Sequence, residues 1–87
     1  MTHTGKSASD TRQASVIAAE NIRMMMRRYG DTRRDLAGFM GIAVRTLDER
    51  FAAPWEFRLD EIESAALRYD VKVTQLFRPM RFEDDDE

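Results

Sequence analysis

The residues in this sequence that are best suited to chemistry are arginines grouped near its middle. Arg33 and Arg34 are adjacent, and Arg45 follows them at a distance that places it beyond a glycine-containing turn. A guanidinium can bond two oxygens of a phosphate, and it can also donate to both O6 and N7 of guanine. Nucleic acid is therefore a ligand that this part of the chain is chemically equipped to bind.

Groups that would support catalysis are missing from the sequence. It contains no cysteine, and its one histidine, His3, lies in a polar N-terminal segment. We find no Ser/His/Asp set, no cluster of metal ligands and no glycine-rich phosphate loop in the region expected to fold. We therefore expect no enzymatic activity, no metal or other cofactor, and no small-molecule ligand.

The charge of the chain is unevenly distributed. The formal net charge is −2, but five of the sixteen acidic residues stand together at positions 83–87. Without these five, 14 basic residues face 11 acidic ones, a net of +3. Because affinity for phosphate comes largely from Lys and Arg, the overall negative charge does not exclude a nucleic-acid ligand.

Apolar residues recur three and four positions apart, which predicts an all-α protein of five helices. The predicted helices cover about 15–29, 32–40, 44–52, 59–69 and 73–77. We expect a flexible arm at 1–13, one folded domain at 14–79 and an acidic tail at 80–87. The chain shows neither a secretory signal nor a membrane span, so a cytoplasmic location with no membrane partner is expected.

Several side chains are expected to form the core of the domain. Met25 and Met26 fall on the apolar face of the first helix, and Leu47 and Phe51 form a buried pair in the third. Trp55 and Phe57 are expected to pack over this core, with a dimer face as the alternative.

The turn between the second and third predicted helices has a specific pattern. Thr32 can cap the second helix with Asp35 in a capping box, and Gly41 permits the positive φ of a sharp turn. Ala37 is small enough for a close helix crossing, and Leu47 anchors the third helix. Such a pair can present its second helix to a major groove about 12 Å wide. An ordinary helical hairpin would account for the same residues.

Two segments resemble the helix-turn-helix DNA-binding family of lambda repressor and Cro. Residues 32–47 resemble the two central helices of that family, and residues 59–77 are similar to its fourth and fifth helices. The resemblance implies a lambda-repressor-like domain whose third helix enters the major groove of double-stranded DNA. One departure is Ala43, which replaces the hydroxyl residue that commonly caps this third helix.

The resemblance also implies which residues contact DNA. Residues of the third helix would face the bases: Val44, Arg45, Thr46, Asp48 and Glu49. Residues at the start of the second helix would meet phosphates, with two further arginines as additional candidates: Thr32, Arg33, Arg34, Arg28 and Arg58. The two acidic residues have three interpretations. They accept from cytosine N4, they pair with Arg45 and Arg50, or they indicate a face that does not bind DNA.

The function expected from the resemblance is that of a small phage or bacterial repressor. It would bind DNA as a homodimer, with a joint formed by apolar residues near the end of the domain: Leu67, Phe77, Met80 and Phe82. The alternative is a protein-binding module on the same scaffold, such as an antitoxin or an inhibitor of a host factor. The two acids of the third helix favour this alternative.

Overall fold

Five α-helices joined by short turns make up most of residues 8–80, the part of the chain that this computed structural model describes. The helices are α1 Ala8–Tyr29, α2 Arg33–Met40, α3 Val44–Ala52, α4 Leu59–Arg68 and α5 Val73–Leu76, with a single 3₁₀ turn at Pro54–Glu56. There is no strand between residues 8 and 80, which confirms the all-α prediction for that range. None of the helices described there has the length and apolar character needed to cross a membrane.

Helix α1 begins earlier than the sequence predicted. Its first residue is Ala8, so the end of the predicted arm at 1–13 is helical rather than irregular. The guanidinium carbon of Arg12 lies 4.5 Å from the centre of the Trp55 ring, a cation–π contact between α1 and the 3₁₀ turn. Apolar periodicity cannot reveal a helix segment held by such a contact. The remainder of the arm, 1–7, and the tail at 81–87 lie outside the described residues.

One apolar core joins all five helices. Its large, fully buried side chains come from α1, α2, α3 and α5 and from the end of α4: Ile22, Leu36, Leu47, Leu76 and Tyr69. Met25, Met26 and Phe51 are buried with them, as predicted. Removing an apolar side chain of this size from water stabilises a fold by roughly 1.5–3 kcal/mol, so these residues set how the helices pack.

Trp55, which was predicted to pack over the core, is exposed, and so is Leu59. Trp55 is 43% exposed because it lies on the outer side of the 3₁₀ turn, whose Pro54 is buried instead. Leu59 is 63% exposed, since as the first residue of α4 it lies beyond the edge of the core. Phe57 does pack as predicted, with its ring edge-on to Phe51 at a centroid distance of 5.8 Å.

A polar cluster ties the link between α1 and α2 to the end of α4. The Asp31 carboxylate accepts two hydrogen bonds from Arg68, at 2.6 and 2.8 Å, and one from the Tyr69 hydroxyl at 2.7 Å. The hydrogen bond from Arg68 is the main reason that the pKa of Asp31 lies below its usual value. Burial, together with the bond to Asp31, raises the pKa of Tyr69. This cluster fixes where α2 starts.

A second polar cluster ties the end of α3 to the start of α4. Glu61 is buried and accepts two hydrogen bonds from Arg50, at 2.9 and 3.2 Å, and one from the main-chain amide of Arg58 at 2.9 Å. The bond to Glu61 raises the pKa of Arg50. Arg50 therefore pairs with α4, and not with an acid of its own helix, which was one of the three interpretations of Asp48 and Glu49. Because Glu61 is buried, the ion pair is shielded from water, and its two hydrogen bonds hold the guanidinium of Arg50 in a fixed geometry.

The C-terminal end of the domain lies against the middle of α1. The Asn21 side-chain amide donates to the main-chain oxygens of Leu76 and Arg78, at 2.8 and 2.7 Å. Phe77 and Met80, predicted to form a dimer joint, instead pack partly buried against the protein's own core. Both residues are only partly buried in the single chain, so the joint stays a prediction. Leu67 is 75% exposed, and Phe82 lies outside the described residues.

Candidate nucleic-acid interface

A tight turn at Gly41 fixes α3 relative to α2. Gly41 has φ 78° and ψ 29°, in the left-handed region predicted for it, and the Ile42 amide donates to the oxygen of Ala37 at 3.0 Å. Ala37 and Leu47 are buried, and Ile42 packs partly buried against the core. These contacts confirm the predicted turn. They leave α3 with one face buried and one face exposed.

The exposed face of α3 carries three of the predicted site residues, Arg45, Asp48 and Glu49. Val44 and Thr46 are only half-exposed, and Val44 packs against the core, which limits how far its methyl groups can reach outward. Ala43 precedes the helix without a side-chain cap, as its residue type predicts. The structure thus brings the five predicted residues of α3 together, with a charged surface outermost.

The start of α2 has the predicted capping box. The Thr32 hydroxyl accepts from the Asp35 amide at 3.0 Å, and the Asp35 carboxylate accepts from the Thr32 amide at 2.9 Å. Hydrogen bonds from the Thr32 amide and then its hydroxyl lower the pKa of Asp35. Two first-turn amides, those of Arg33 and Arg34, have no acceptor among residues 8–80. Both residues are exposed.

An ion pair links the start of α2 to α3. The Nε atom of Arg33 lies 2.9 Å from a carboxylate oxygen of Asp48, with side chains that are 61% and 49% exposed. Of the three interpretations of the acidic residues, pairing of Asp48 with Arg45 or Arg50 is therefore not the one that the structure shows. The turn places the second turn of α3 beside the first residue of α2, while Arg50 is held by Glu61. An exposed pair of this kind contributes only about 0–1 kcal/mol, so a competing anion can replace it.

An open groove of about 810 Å³ lies between α1, α2 and α3. We call it the arginine groove. Its cationic lining consists of Arg23, Arg27, Arg33 and Arg34, its acidic residues are Asp31 and Asp48, and the rest of its lining is Met26, Thr32, Val44, Phe51 and Ala52. The groove joins the predicted phosphate-binding residues of α2 to a surface of α1 that the sequence analysis did not assign to the site.

Arg23 and Arg27 are the residues that sequence reasoning missed. They stand four positions apart on α1, a spacing that places both on one helix face, and this spacing was the available signal. The guanidinium carbon of Arg23 lies 4.7 Å from the centre of the Phe51 ring. Within residues 8–80, Arg23, Arg27 and Arg34 have no carboxylate partner. Their charges are thus available to an anionic ligand.

The two additional phosphate candidates lie elsewhere. Arg28 lines a separate hollow with Tyr29, Tyr69 and Asp70. Arg58 forms an exposed ion pair with Asp60 at 3.2 Å and does not line the arginine groove. Neither arginine is brought together with the predicted residues of α2 and α3 in that groove.

Comparisons with known proteins add nothing to this geometry. No protein-family model matches the chain, and neither a curated protein nor a solved structure matches it significantly. Among the residues that the structure describes, no group of His, Cys, Asp or Glu side chains is arranged to hold a metal ion. The surface of α2, α3 and the arginine groove is therefore the feature from which a function can be inferred.

Proposed function

We propose that this chain is a sequence-specific DNA-binding transcriptional regulator with a lambda-repressor-like helix-turn-helix formed by α2 and α3. The observation that carries the proposal is the exposed face of α3, held outward by the buried Ala37 and Leu47 and flanked by arginines of α2. A helix presented in this way has the dimensions to enter a major groove.

Each part of the surface has a distinct role in the proposed complex. Arg45 reads a base pair, most effectively a guanine through O6 and N7, which discriminates by about 1–3 kcal/mol. Arg33, Arg34 and their unbonded amides contact phosphates and set the position of α3, without reading sequence. Glu49 is exposed beside Arg45 and can accept a hydrogen bond from cytosine N4.

The proposed mode of action is occupation of an operator, in the manner of small phage or bacterial repressors. One domain of this size contacts only a few base pairs, so we propose a homodimer on two half-sites separated by one helical turn, about 34 Å. Pairing on the DNA would give both the affinity and the two-fold symmetry that such regulation requires.

Selection of bound sequences from a random duplex pool tests the proposal. We expect an enriched site with two-fold symmetry, and binding that weakens steeply with salt, because each phosphate contact lowers the slope of log affinity against log salt by about 0.9. Arg45→Ala should relax the preference at one base pair, while Arg33→Ala should weaken all sequences alike. A pool that stays random at low salt, or wild-type behaviour in both variants, would contradict the proposal.

The second candidate function is a protein-binding module on the same scaffold, acting as an antitoxin or host-factor inhibitor does. It is favoured by the Arg33–Asp48 ion pair, which neutralises a cation that DNA would need, and by the exposed acid Glu49. A protein contact with an apolar centre would be nearly insensitive to salt, so the salt titration separates the two functions.

A further inference from the structure

The arginine groove contains more cationic groups than the described residues neutralise, and the same chain carries a run of acids. We propose that the acidic segment 83–87 docks in the arginine groove of its own chain and thereby competes with DNA for it. The docking depends only on the charges of the groove and of the acidic segment. Only the competition with DNA rests on the proposed function.

Charge complementarity is the first argument. Arg23, Arg27 and Arg34 have no carboxylate partner among residues 8–80, and the fourth arginine of the groove shares an exposed ion pair that another anion can replace. The acidic segment offers five consecutive carboxylates. Each carboxylate can accept two parallel hydrogen bonds from one guanidinium, as a phosphate does.

Chain reach is the second argument. The main-chain oxygen of Arg78 is bound by Asn21, and Met80 still packs against the core, so the chain leaves the domain beside α1 after Met80. Arg23 lies about 3 Å further along the axis of α1 and about 200° around it. The route over the exposed side of α1, at a radius of about 5–6 Å, is thus roughly 15–20 Å long. Residues 83–87 lie three to seven positions beyond Met80 and extend to about 10–23 Å at 3.3 Å per residue, so the carboxylates at the end of the segment span this route.

A tethered segment competes effectively even when its own affinity is low. A short tether gives an effective concentration of about 1 mM, so a segment with a dissociation constant of 0.1 to 1 mM lowers the apparent DNA affinity by about two- to tenfold. Because the attraction is between charges near the surface, salt should reduce this effect. The segment would suppress weak binding to arbitrary sequences while leaving a high-affinity site occupied.

Two triple variants of the full chain test the proposal. The first is Asp84→Asn, Asp85→Asn and Asp86→Asn. The control, Glu56→Gln, Glu63→Gln and Asp70→Asn, removes the same number of charges from exposed residues that do not line the groove. We compare the side-chain Nε–Hε NMR resonances of the groove arginines, and the affinity of each protein for a fluorescent duplex of random sequence at low and high salt.

We expect the tail variant, and not the control, to shift the resonances of Arg23, Arg27 and Arg34 and to bind DNA two- to tenfold more tightly at low salt. A synthetic peptide of residues 81–87, added to the tail variant, should reverse the resonance shifts. Unchanged resonances, or equal shifts in both variants, would overturn the docking. Shifted resonances in a protein that binds no duplex would instead uphold the docking and refute the proposed function, so the two failures are distinguishable.

Discussion

At the scale of single residues, the site is defined by which charges are already neutralised. Arg33 shares its charge with Asp48 across the turn, whereas Glu49, on the next position of α3, has no cation partner among residues 8–80. The exposed pair is weak, and it places a carboxylate where the proposed complex requires a phosphate. We infer that Asp48 holds Arg33 in position in the free protein and must release it to DNA.

Asp48→Asn should therefore raise the affinity for a duplex of random sequence by about two- to fivefold at low salt, because Arg33 no longer has to leave a partner. It should also steepen the slope of log affinity against log salt. Glu49→Gln is the matched control, since it removes the same charge from the same face without breaking an ion pair. Fluorescence anisotropy over a salt series measures both effects. Identical gains in the two variants would show that net charge, and not the ion pair, governs binding.

At the scale of the helices, two polar clusters hold the α2–α3 unit in place. Asp31 fixes the start of α2 to α4 through Arg68 and Tyr69, and Glu61 fixes the end of α3 to the start of α4 through Arg50. In the first cluster the bonded residues are far apart in the sequence, and in the second they lie on different helices. The orientation of the exposed face of α3 therefore depends on ion pairs that do not themselves line that face.

Asp31→Asn should lower the free energy of unfolding by about 2 kcal/mol at neutral pH, because it removes a charge-assisted pair of hydrogen bonds from Arg68. The fold lowers the pKa of Asp31, so this stabilisation is complete above the pKa of the unfolded carboxyl, about 3.9. It is lost as the pH falls through the lower pKa of the folded state. Urea unfolding over a pH series should show the difference from wild type shrinking below about pH 4.

Asp70→Asn is the control for that measurement. Asp70 is exposed and has φ 57°, a conformation that asparagine also adopts, so the variant should match wild type at every pH. A destabilisation by Asp31→Asn that stayed constant down to pH 3 would rule out the ion pair as its cause.

At the scale of the whole molecule, the dimer proposed on DNA needs a contact surface. Phe77 and Met80 are partly buried against the core, so among the described residues of the predicted joint Leu67 is the most exposed. A small contact of this kind would not hold two free subunits together. It can add cooperativity once DNA has aligned two chains on neighbouring half-sites.

Leu67→Ser should leave the midpoint of urea unfolding almost unchanged, since the side chain is largely exposed. It should weaken binding to a duplex with two half-sites and leave binding to one half-site unaffected. Leu59→Ser, at the other end of α4 and also exposed, is the control and should behave as wild type in both assays. Equal binding of wild type and Leu67→Ser to the double site would exclude α4 from the joint.

The sequence alone determined much of this protein because helix signals are local. Apolar spacing located five helices, and the capping box of Thr32 and Asp35 and the positive φ of Gly41 were predicted from neighbouring residues. The arrangement of residues on α3 followed in the same way, since one buried anchor, Leu47, sets which face of a helix points outward.

Only the tertiary structure decided which charged groups meet. Asp48 pairs with Arg33, Glu61 with Arg50 and Arg12 with Trp55 because the turn and the core bring different elements together. The same packing adds Arg23 and Arg27 of α1 to the arginines of α2 in one groove. Periodicity shows on which face of its own helix each residue lies, and it contains no information on the distance between side chains of different helices.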